Sequence, residues 1–179
     1  MRCASVNRLF CEDYYRMTGK KWGITSWIDL LLRYDLKYLR YLRKRKKNKL
    51  SALRAMRWNR RHGLEILSYQ IGKGLYLGHA HNINVNPNAV IGDNCNLNKG
   101  ATIGAENRGC RKGAPILGNR VWVGTNAVIV GKITIGDDVL IAANSFVNMD
   151  VPSHSVVIGN PAVIYPRNYA TEGYICNEV

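Results

Sequence analysis

The stretch IGDNCNLNKGATI, residues 91–103, repeats an aliphatic side chain every six positions, at Ile91, Leu97 and Ile103. Followed outward in both directions, this step connects twelve aliphatic residues: Ile71, Leu77, Val85, Ile91, Leu97, Ile103, Leu117, Val123, Ile129, Ile135, Ile141 and Val147. A period of six suits neither an α-helix nor a flat strand. It predicts a mainly β solenoid, in which short strands turn at corners and stack their aliphatic residues inside.

The positions around each aliphatic residue are also biased. Glycine follows seven of the twelve: Gly72, Gly78, Gly92, Gly104, Gly118, Gly124 and Gly136. A small or branched residue often stands four positions after the aliphatic one: Ala89, Cys95, Ala101, Val121, Ala127, Val139 and Ser145. Asparagine accepts left-handed backbone angles, so we expect seven asparagines to form corners: Asn82, Asn84, Asn86, Asn88, Asn94, Asn96 and Asn98.

The formal net charge of +14 lies in the first third of the chain. Residues 1–63 hold eighteen Lys and Arg against four Asp and Glu, whereas residues 64–179 hold eight of each. This asymmetry predicts a basic helical segment over residues 1–63, a solenoid domain over residues 64–167 and a tail over residues 168–179.

Two helices are expected in the basic segment. Ser26 followed by Asp29 is typical of a helix N-cap. Apolar residues then recur at helical spacing: Trp27, Leu30, Leu31, Tyr34, Tyr38, Tyr41 and Leu42. The helix leads into the basic run 43–47, and a second helix over residues 51–61 ends at Gly63. We expect these helices to cap the open end of the solenoid, and a second, compatible interpretation has them rest on anionic lipid. No recognition motif accompanies the cations, so no nucleic-acid partner is expected.

The five cysteines, Cys3, Cys11, Cys95, Cys110 and Cys176, are scattered without a C-x-x-C pair. We interpret them as free thiols of a reducing compartment. The first residues lack the apolar stretch of a signal peptide, and no apolar run is long enough to cross a bilayer. We therefore expect a cytoplasmic protein, with peripheral contact at the inner face of the membrane as an option for its basic helices.

The six-residue period is interrupted twice. The step from Leu77 to Val85 is eight residues and presents His79 and His81, followed by Asn82 and Asn84. The step from Ile103 to Leu117 is fourteen residues, which predicts a loop ejected over residues 105–115. Loops on a rigid scaffold commonly carry binding groups. This one holds Glu106, Asn107, Arg108, Arg111 and Lys112.

The repeats IGDNCN (91–96), VGTNAV (123–128) and IGDDVL (135–140), with the closing IGNPA (158–162), resemble the hexapeptide-repeat acyltransferases. Within that family the chain is similar to the serine acetyltransferase-like branch, most closely to O-acetyltransferases of surface-polysaccharide synthesis. The resemblance covers about residues 64–167. It implies a left-handed parallel β-helix of about four turns, assembled as a homotrimer with acetyl-CoA bound between neighbouring subunits.

The resemblance also implies site residues. The segment GLYLGHA (74–80) aligns with the catalytic-histidine strand and puts His79 at the catalytic position, whereas His81 falls at a variable one. Serine acetyltransferases carry an aspartate before this histidine and a second histidine before the proline that ends the loop. Gly78 and Ala114 stand at those places here. Both departures favour a sugar hydroxyl, from a small molecule or a glycan, over serine as acceptor.

A neutral imidazole suits the deprotonation of a hydroxyl near neutral pH, so we expect His79 to activate the acceptor for direct attack on the thioester. Glu65 or Glu106 is expected to orient the ring. The residues expected at the acceptor are His81, Asn82, Asn84, Asn107, Arg108, Arg111, Lys112 and Trp122. Of these, Trp122 is either a wall of the site or a packing residue. Those expected at CoA are Gly104, Ala105, Gly124, Thr125, Lys132, Ala142, Ala143 and Arg167. The three loop cations serve either CoA phosphates or an anionic acceptor.

Four other functions compete with this hypothesis. Zinc chemistry on the same fold needs three histidine ligands, and the repeat region brings only His79 and His81 close in sequence, so no metal is expected. Acetylation of an amino-sugar amine, acetylation of serine for cysteine synthesis, and a non-catalytic trimeric scaffold remain as alternatives.

Overall fold

Four helices precede the strands in the computed structural model, which describes residues 7–46 and 48–179. The helices are α1 (Arg8–Thr18), α2 (Ser26–Leu32), α3 (Tyr34–Lys44) and α4 (Lys49–His62). The strands of the first three coils are β1 (Glu65–Ile66), β2 (Gln70–Ile71), β3 (Tyr76–Gly78), β4 (Asn84–Val85), β5 (Val90–Ile91), β6 (Asn96–Asn98), β7 (Thr102–Gly104), β8 (Ile116–Leu117) and β9 (Val121–Val123). The remaining strands are β10 (Val128–Val130), β11 (Thr134–Ile135), β12 (Val139–Ile141), β13 (Phe146–Val147), β14 (Ser155–Ile158) and β15 (Val163–Pro166).

The strands form three sheets of a parallel solenoid. The first sheet runs β1-β4-β7-β10-β13, the second β2-β5-β8-β11, and the third β3-β6-β9-β12-β14, with β15 added antiparallel at its end. The solenoid has about five turns, one more than the sequence predicted. Ile66 pairs with Val85 and adds a residue to the aliphatic row of the first sheet, ahead of the predicted repeat. Val151 pairs with Ile135 in the second sheet and Val157 pairs with Ile141 in the third, and both lie beyond the predicted repeat. They were missed because the steps to Ile66 and Val151 are not six residues long.

The predicted aliphatic row and the small row both face the interior. Ala89, Cys95, Ala101, Val121 and Ala127 are all fully buried, between the aliphatic residues of successive strands. The glycines allow the coils to stack closely. A Cβ on Gly124, for example, would lie 2.6 Å from the backbone nitrogen of Ala143 in the next coil. Side-chain size at these positions therefore controls the coil spacing.

The prediction that seven asparagines form corners is confirmed for four of them, including Asn86 and Asn88 in the turn between β4 and β5, and is wrong for the other three. Among the seven, Asn82 and Asn94 have positive φ. Asn84 lies in β4, and Asn96 and Asn98 lie in β6. Asn96 is buried because its amide joins parts of the fold that are distant in sequence: its Oδ1 accepts from Arg16 and its Nδ2 donates to the carbonyl of Tyr174.

The helices cap the first coil, as one of the two interpretations expected. Arg43 donates to the carbonyls of Ile71 (2.8 Å) and Gly72 (2.6 Å), and Arg45 donates to those of Ile66 and Ser68. Part of the basic charge therefore satisfies carbonyl groups that the first coil would otherwise leave without donors.

The helix predicted from Ser26 onward is two helices. The backbone of Arg33 is extended (φ −99°, ψ 114°), which separates α2 from α3. Ser26 lies inside α2 and its hydroxyl accepts from the Gly23 amide, so the N-cap is Thr25. Helix α1 was not predicted. The end of α4 at Gly63, in the left-handed conformation, is confirmed.

The C-terminal tail folds back onto the outer face of the third sheet. Asp138 accepts hydrogen bonds from the amides of Ala170 and Thr171, the Thr171 hydroxyl and His154 Nδ1. Burial acts to raise the pKa of Asp138, but the bonds from Thr171, His154 and Ala170 outweigh it and lower the pKa to about 2. An ionised Asp138 therefore holds the start of the tail.

The cysteines do not all fit the free-thiol interpretation. Cys95, Cys110 and Cys176 are free, but Cys11 is disulfide-bonded. A disulfide needs two Cα atoms within about 7 Å, a proximity that folding decides and cysteine spacing does not reveal. Cys3, like Lys47 of the basic run, lies outside the described residues. Within the described ranges, no helix has the length and apolar character needed to cross a bilayer.

Candidate active site

His79 occupies an exposed turn of the first coil. It directly follows β3, where the chain passes from the third sheet to the first, and its backbone is left-handed (φ 49°). The next residue, Ala80, is buried, and its carbonyl accepts a hydrogen bond from the Tyr34 hydroxyl at 3.3 Å. The cap therefore supports the turn from inside while the imidazole remains accessible.

Four of the predicted CoA residues share this corner of the solenoid. We call it the histidine corner; it comprises His79 and the turns at residues 98–100, 124–126 and 142–144. Backbone bonds connect these turns: Gly100 N–H to His81 (3.0 Å), Asn126 N–H to Lys99 (2.9 Å) and Asn144 N–H to Thr125 (2.9 Å). Gly124, Thr125, Ala142 and Ala143 thus line up below His79. With coils about 4.8 Å apart, the corner extends about 14 Å from His79.

The other four predicted CoA residues lie at different corners of the same chain. Gly104 and Ala105 stand where the chain leaves the first sheet for the second. Lys132 stands there too, and its N–H donates to the carbonyl of Arg111. Arg167 follows β15, and its N–H donates to the carbonyl of His154. One protomer does not bring these residues to His79.

Glycine at position 124 serves the packing of neighbouring coils. Gly124 is buried, and its missing side chain leaves room for the backbone of Ala142 and Ala143 in the next coil, as described above. Close coil stacking therefore requires this glycine. Thr125 and Ala143, like the asparagine that follows each of them, are exposed in these turns.

The ejected loop is a short hairpin. Glu106 and Gly113 exchange two backbone hydrogen bonds of 2.9 Å, and Arg111 forms an ion pair with Glu106 at 3.3 Å. Asn107, Arg108 and Lys112 are exposed on it. The hairpin leaves the solenoid after β7, at the edge of the first sheet opposite to the histidine corner.

A shallow cleft of about 250 Å³ covers the outer face of the first sheet between these two edges. Glu65 and Asn84, which pair across β1 and β4, line it together with Thr102 and Gly104. Within the described parts of the chain, neither Glu65 nor Glu106 hydrogen-bonds His79, and Glu106 is paired with Arg111 instead. The described part of one chain therefore supplies neither of these carboxylates to His79.

An aromatic cluster beside the histidine corner was not predicted. The His62 ring stacks on Tyr34 (4.4 Å between centroids) and on Trp58 (5.2 Å), which also stack on each other (6.3 Å). The His81 ring packs against Tyr34 (5.5 Å) and His62 (5.0 Å). Burial, with the charges of His81 and Arg61, lowers the pKa of His62. These ring contacts partly bury His81, whereas the next residue, Asn82, is exposed. The helical spacing of Trp58 and His62 is the one sequence signal for this cluster.

Trp122 belongs to a different face. It lies on the outer side of the third sheet, with its ring edge-on to Tyr174 of the tail at 5.1 Å. A cleft of about 400 Å³ there is also lined by the buried Arg16, by Asn96 and by Asn98. The structure therefore separates Trp122 from the loop residues with which it was grouped. Arg16 was not predicted as a buried residue of this cleft, because its partners, Gly74 and Asn96, are distant in sequence.

The departure at Gly78 has a structural counterpart. Gly78 is in register with Asn98 of the next coil, and a Cβ on Gly78 would collide with Asn98 Oδ1. The Asn98 amide is fixed because its Nδ2 donates to the carbonyl of Val123 at 2.7 Å. An aspartate before His79 does not fit this arrangement. No group of three His, Cys, Asp or Glu side chains suited to hold a metal occurs within residues 7–46 and 48–179.

Comparisons with known proteins agree with the repeat architecture. Residues 114–148 match the family model of the bacterial transferase hexapeptide (six repeats). A serine acetyltransferase of Helicobacter pylori is 39% identical over 93 residues, 52% of this chain and 54% of that protein. One of Synechococcus elongatus is 38% identical over 97 residues, 54% of this chain and 40% of that protein. The chain thus spans about half the length of the curated relatives it matches.

Solved structures are similar as well. The serine acetyltransferase of Neisseria gonorrhoeae is 30% identical with a TM-score of 0.64, and the match covers 78% of this chain and 58% of that one. Nothing in the comparisons points to O-acetyltransferases of polysaccharide synthesis, so that part of the expected resemblance is unsupported.

Proposed function

We propose that this protein is an acetyl-CoA-dependent O-acetyltransferase in which His79 is the general base. The observation that carries the proposal is the position of His79, exposed at one end of the histidine corner. Relatives that are named serine acetyltransferases support the reaction type. Thr125 and Ala143 extend the same corner and form the surface along which we expect the extended co-substrate to bind.

The reaction follows from the chemistry of an imidazole beside a thioester. His79 accepts the proton of the acceptor hydroxyl while the oxygen attacks the acetyl carbon. The tetrahedral intermediate collapses when the carbon–sulfur bond breaks, and the departing thiolate takes the proton from the imidazolium. The products are an acetyl ester and free CoA, and the histidine returns to its neutral form.

The site needs a second protomer in this proposal. The hairpin cations and His79 lie at opposite edges of the first sheet, so a trimer in which neighbouring chains meet there brings the hairpin of one protomer to the histidine of another. Arg108, Lys112 and Lys132 then become available to the CoA phosphates or to an anionic acceptor. The carboxylate that orients His79 would also come from the neighbour, with Glu106 or Glu65 as candidates.

Serine is the first acceptor candidate, because the relatives described above are named for it. A sugar hydroxyl is the second candidate, and the Gly78–Asn98 contact favours it. An aspartate before the histidine was expected for serine acetyltransferases, whereas the position here is closed by the Asn98 amide.

The acceptor is tested with the purified full chain by following thiol release from acetyl-CoA. We expect release with L-serine to exceed release without acceptor, and the product to be an ester that mild base cleaves. Release with monosaccharides or nucleotide sugars but not with serine would select the second candidate. A base-stable product would contradict O-acetylation, and the absence of acceptor-dependent release with every hydroxyl compound would contradict the proposed function.

The closure of position 78 gives a separate prediction. Gly78→Asp should lower the free energy of unfolding by about 1–3 kcal/mol, because the new side chain overpacks against Asn98. The double variant Gly78→Asp/Asn98→Gly should recover most of this loss. Gly23→Asp is the matched control, since a Cβ there meets no atom closer than 4.0 Å. Urea denaturation measures the free energy of unfolding of the three variants. If Gly78→Asp is as stable as the parent, position 78 is open to an acidic side chain.

A further inference from the structure

Helix α2 carries an apolar stripe that faces solvent. Apolar residues recur three and four positions apart, one helical turn along: Ile24, just before the helix, and Trp27, Ile28, Leu31 and Leu32. All five are between 49% and 76% exposed. Such a spacing normally marks the face that a helix buries. Here it marks the face that remains uncovered, and we call these five residues the α2 stripe.

The opposite side of α2 is the one that packs inward. Ser26 and Leu30 are buried, and α2 contacts α3 within the cap. Within the described residues, Trp22 and Arg40 contact the Trp27 ring, and the rest of the α2 stripe is open to solvent. A contiguous apolar face of this kind on a charged protein indicates a surface that binds a partner.

Cations surround the α2 stripe. The Arg40 guanidinium lies 5.1 Å from the centre of the Trp27 ring, and Lys37 lines the same groove between α2 and α3. Lys20 and Lys21 are exposed just ahead of the helix. The stripe is thus the apolar centre of a basic surface, on the segment that holds the net positive charge of the chain.

We propose that the α2 stripe docks the protein on an anionic lipid bilayer. The apolar side chains enter the boundary between headgroups and acyl chains, with Trp27 at the interface where tryptophan is enriched. Lys20, Lys21, Lys37 and Arg40 bind the headgroup phosphates, and electrostatic attraction adds to apolar burial. The structure thus assigns lipid contact to one helix, a more specific surface than the basic segment as a whole.

Charge argues against a second copy of the chain as the occupant. Two α2 stripes in contact would bring two segments with eighteen cations and four carboxylates each against one another. An anionic bilayer removes this repulsion. Docking also places the first coil, which carries His79 and packs directly against the cap, nearest to the membrane.

The test is co-sedimentation of the full chain with vesicles. We expect binding to vesicles of equimolar phosphatidylcholine and phosphatidylglycerol, and little binding to phosphatidylcholine alone. The variant Ile28→Ser/Leu31→Ser/Leu32→Ser should bind the anionic vesicles at least about tenfold more weakly. It should fold like the parent by circular dichroism, because all three side chains are exposed.

The matched control is Ile158→Ser/Val163→Ser/Tyr165→Ser, which removes three apolar side chains that are 49–51% exposed near the far end of the solenoid. It should bind as the parent does. Equal binding of the α2 variant and the parent, or parental binding to neutral vesicles as strong as to anionic ones, would overturn the proposal. So would an absence of vesicle binding together with a smaller oligomer for the α2 variant in sedimentation equilibrium, which would identify a subunit interface. The readout is independent of acetyl transfer, so failure here leaves the proposed function untouched.

Discussion

His79→Ala is expected to lower the rate of acetyl transfer by about 10²–10⁴-fold, the usual contribution of a positioned general base. The loss should appear in kcat, because the histidine acts on the acceptor proton while the rest of the histidine corner remains available to the co-substrate. The fold should be retained, since the imidazole is exposed and forms no hydrogen bond with other described residues. The measurement is thiol release from acetyl-CoA at saturating acceptor, with circular dichroism to confirm folding.

His154→Ala provides the control. Both histidines are exposed and have left-handed backbones (φ 49° and 58°), so alanine introduces similar backbone strain at each. His154 lies at another corner, where its Nδ1 contacts Asp138 at 2.9 Å. This variant should keep near-parental turnover. If His79→Ala retains turnover comparable to that of His154→Ala, the assignment of His79 as the base is wrong.

Of the proposed variants, Arg43→Met should lower the free energy of unfolding the most. The Arg43 guanidinium binds both oxygens of Asp13 at 2.7 and 2.8 Å, and the two side chains are 5% and 0% exposed. Removing one member of a buried pair leaves the other charge without compensation, which costs about 3–5 kcal/mol. The substitution also removes donors from the Ile71 and Gly72 carbonyls. At this chain length we expect the melting temperature to fall by about 10 °C.

Two further variants separate charge pairing from other effects. Arg8→Met removes an exposed cation, paired with Glu12 one turn along the same cap, and should change stability by less than about 0.5 kcal/mol. Asp13→Asn/Arg43→Met should recover part of the loss, because no buried charge is then left unpaired and the asparagine oxygen can still accept from the Leu75 amide. A melting temperature of Arg43→Met close to that of Arg8→Met would refute the structural role of this pair.

The expectations for the solenoid and for the site differ in how far they depended on tertiary structure. The ejected loop was visible as a fourteen-residue step, and the hairpin closed by Glu106 and Gly113 lies within it. The grouping of Trp122 with that loop was a hypothesis without such a local signal. The structure places Trp122 on another sheet, beneath Tyr174. The alignment of Thr125 and Ala143 below His79 follows from the coil register, because residues at equivalent repeat positions stack directly.

The sequence by itself determined the interior of the solenoid. Each aliphatic residue must be buried. A six-residue step achieves this when the short strands wind around a common axis, so that every sixth side chain faces the interior. Tertiary structure alone decided how the coil is capped and covered. Arg43 meets Asp13 across thirty residues, Arg16 meets Asn96 across eighty, and Val179 meets Asn94 across eighty-five. Such contacts leave no periodic trace, because a buried guanidinium or amide needs only one suitable partner, which can come from any part of the chain.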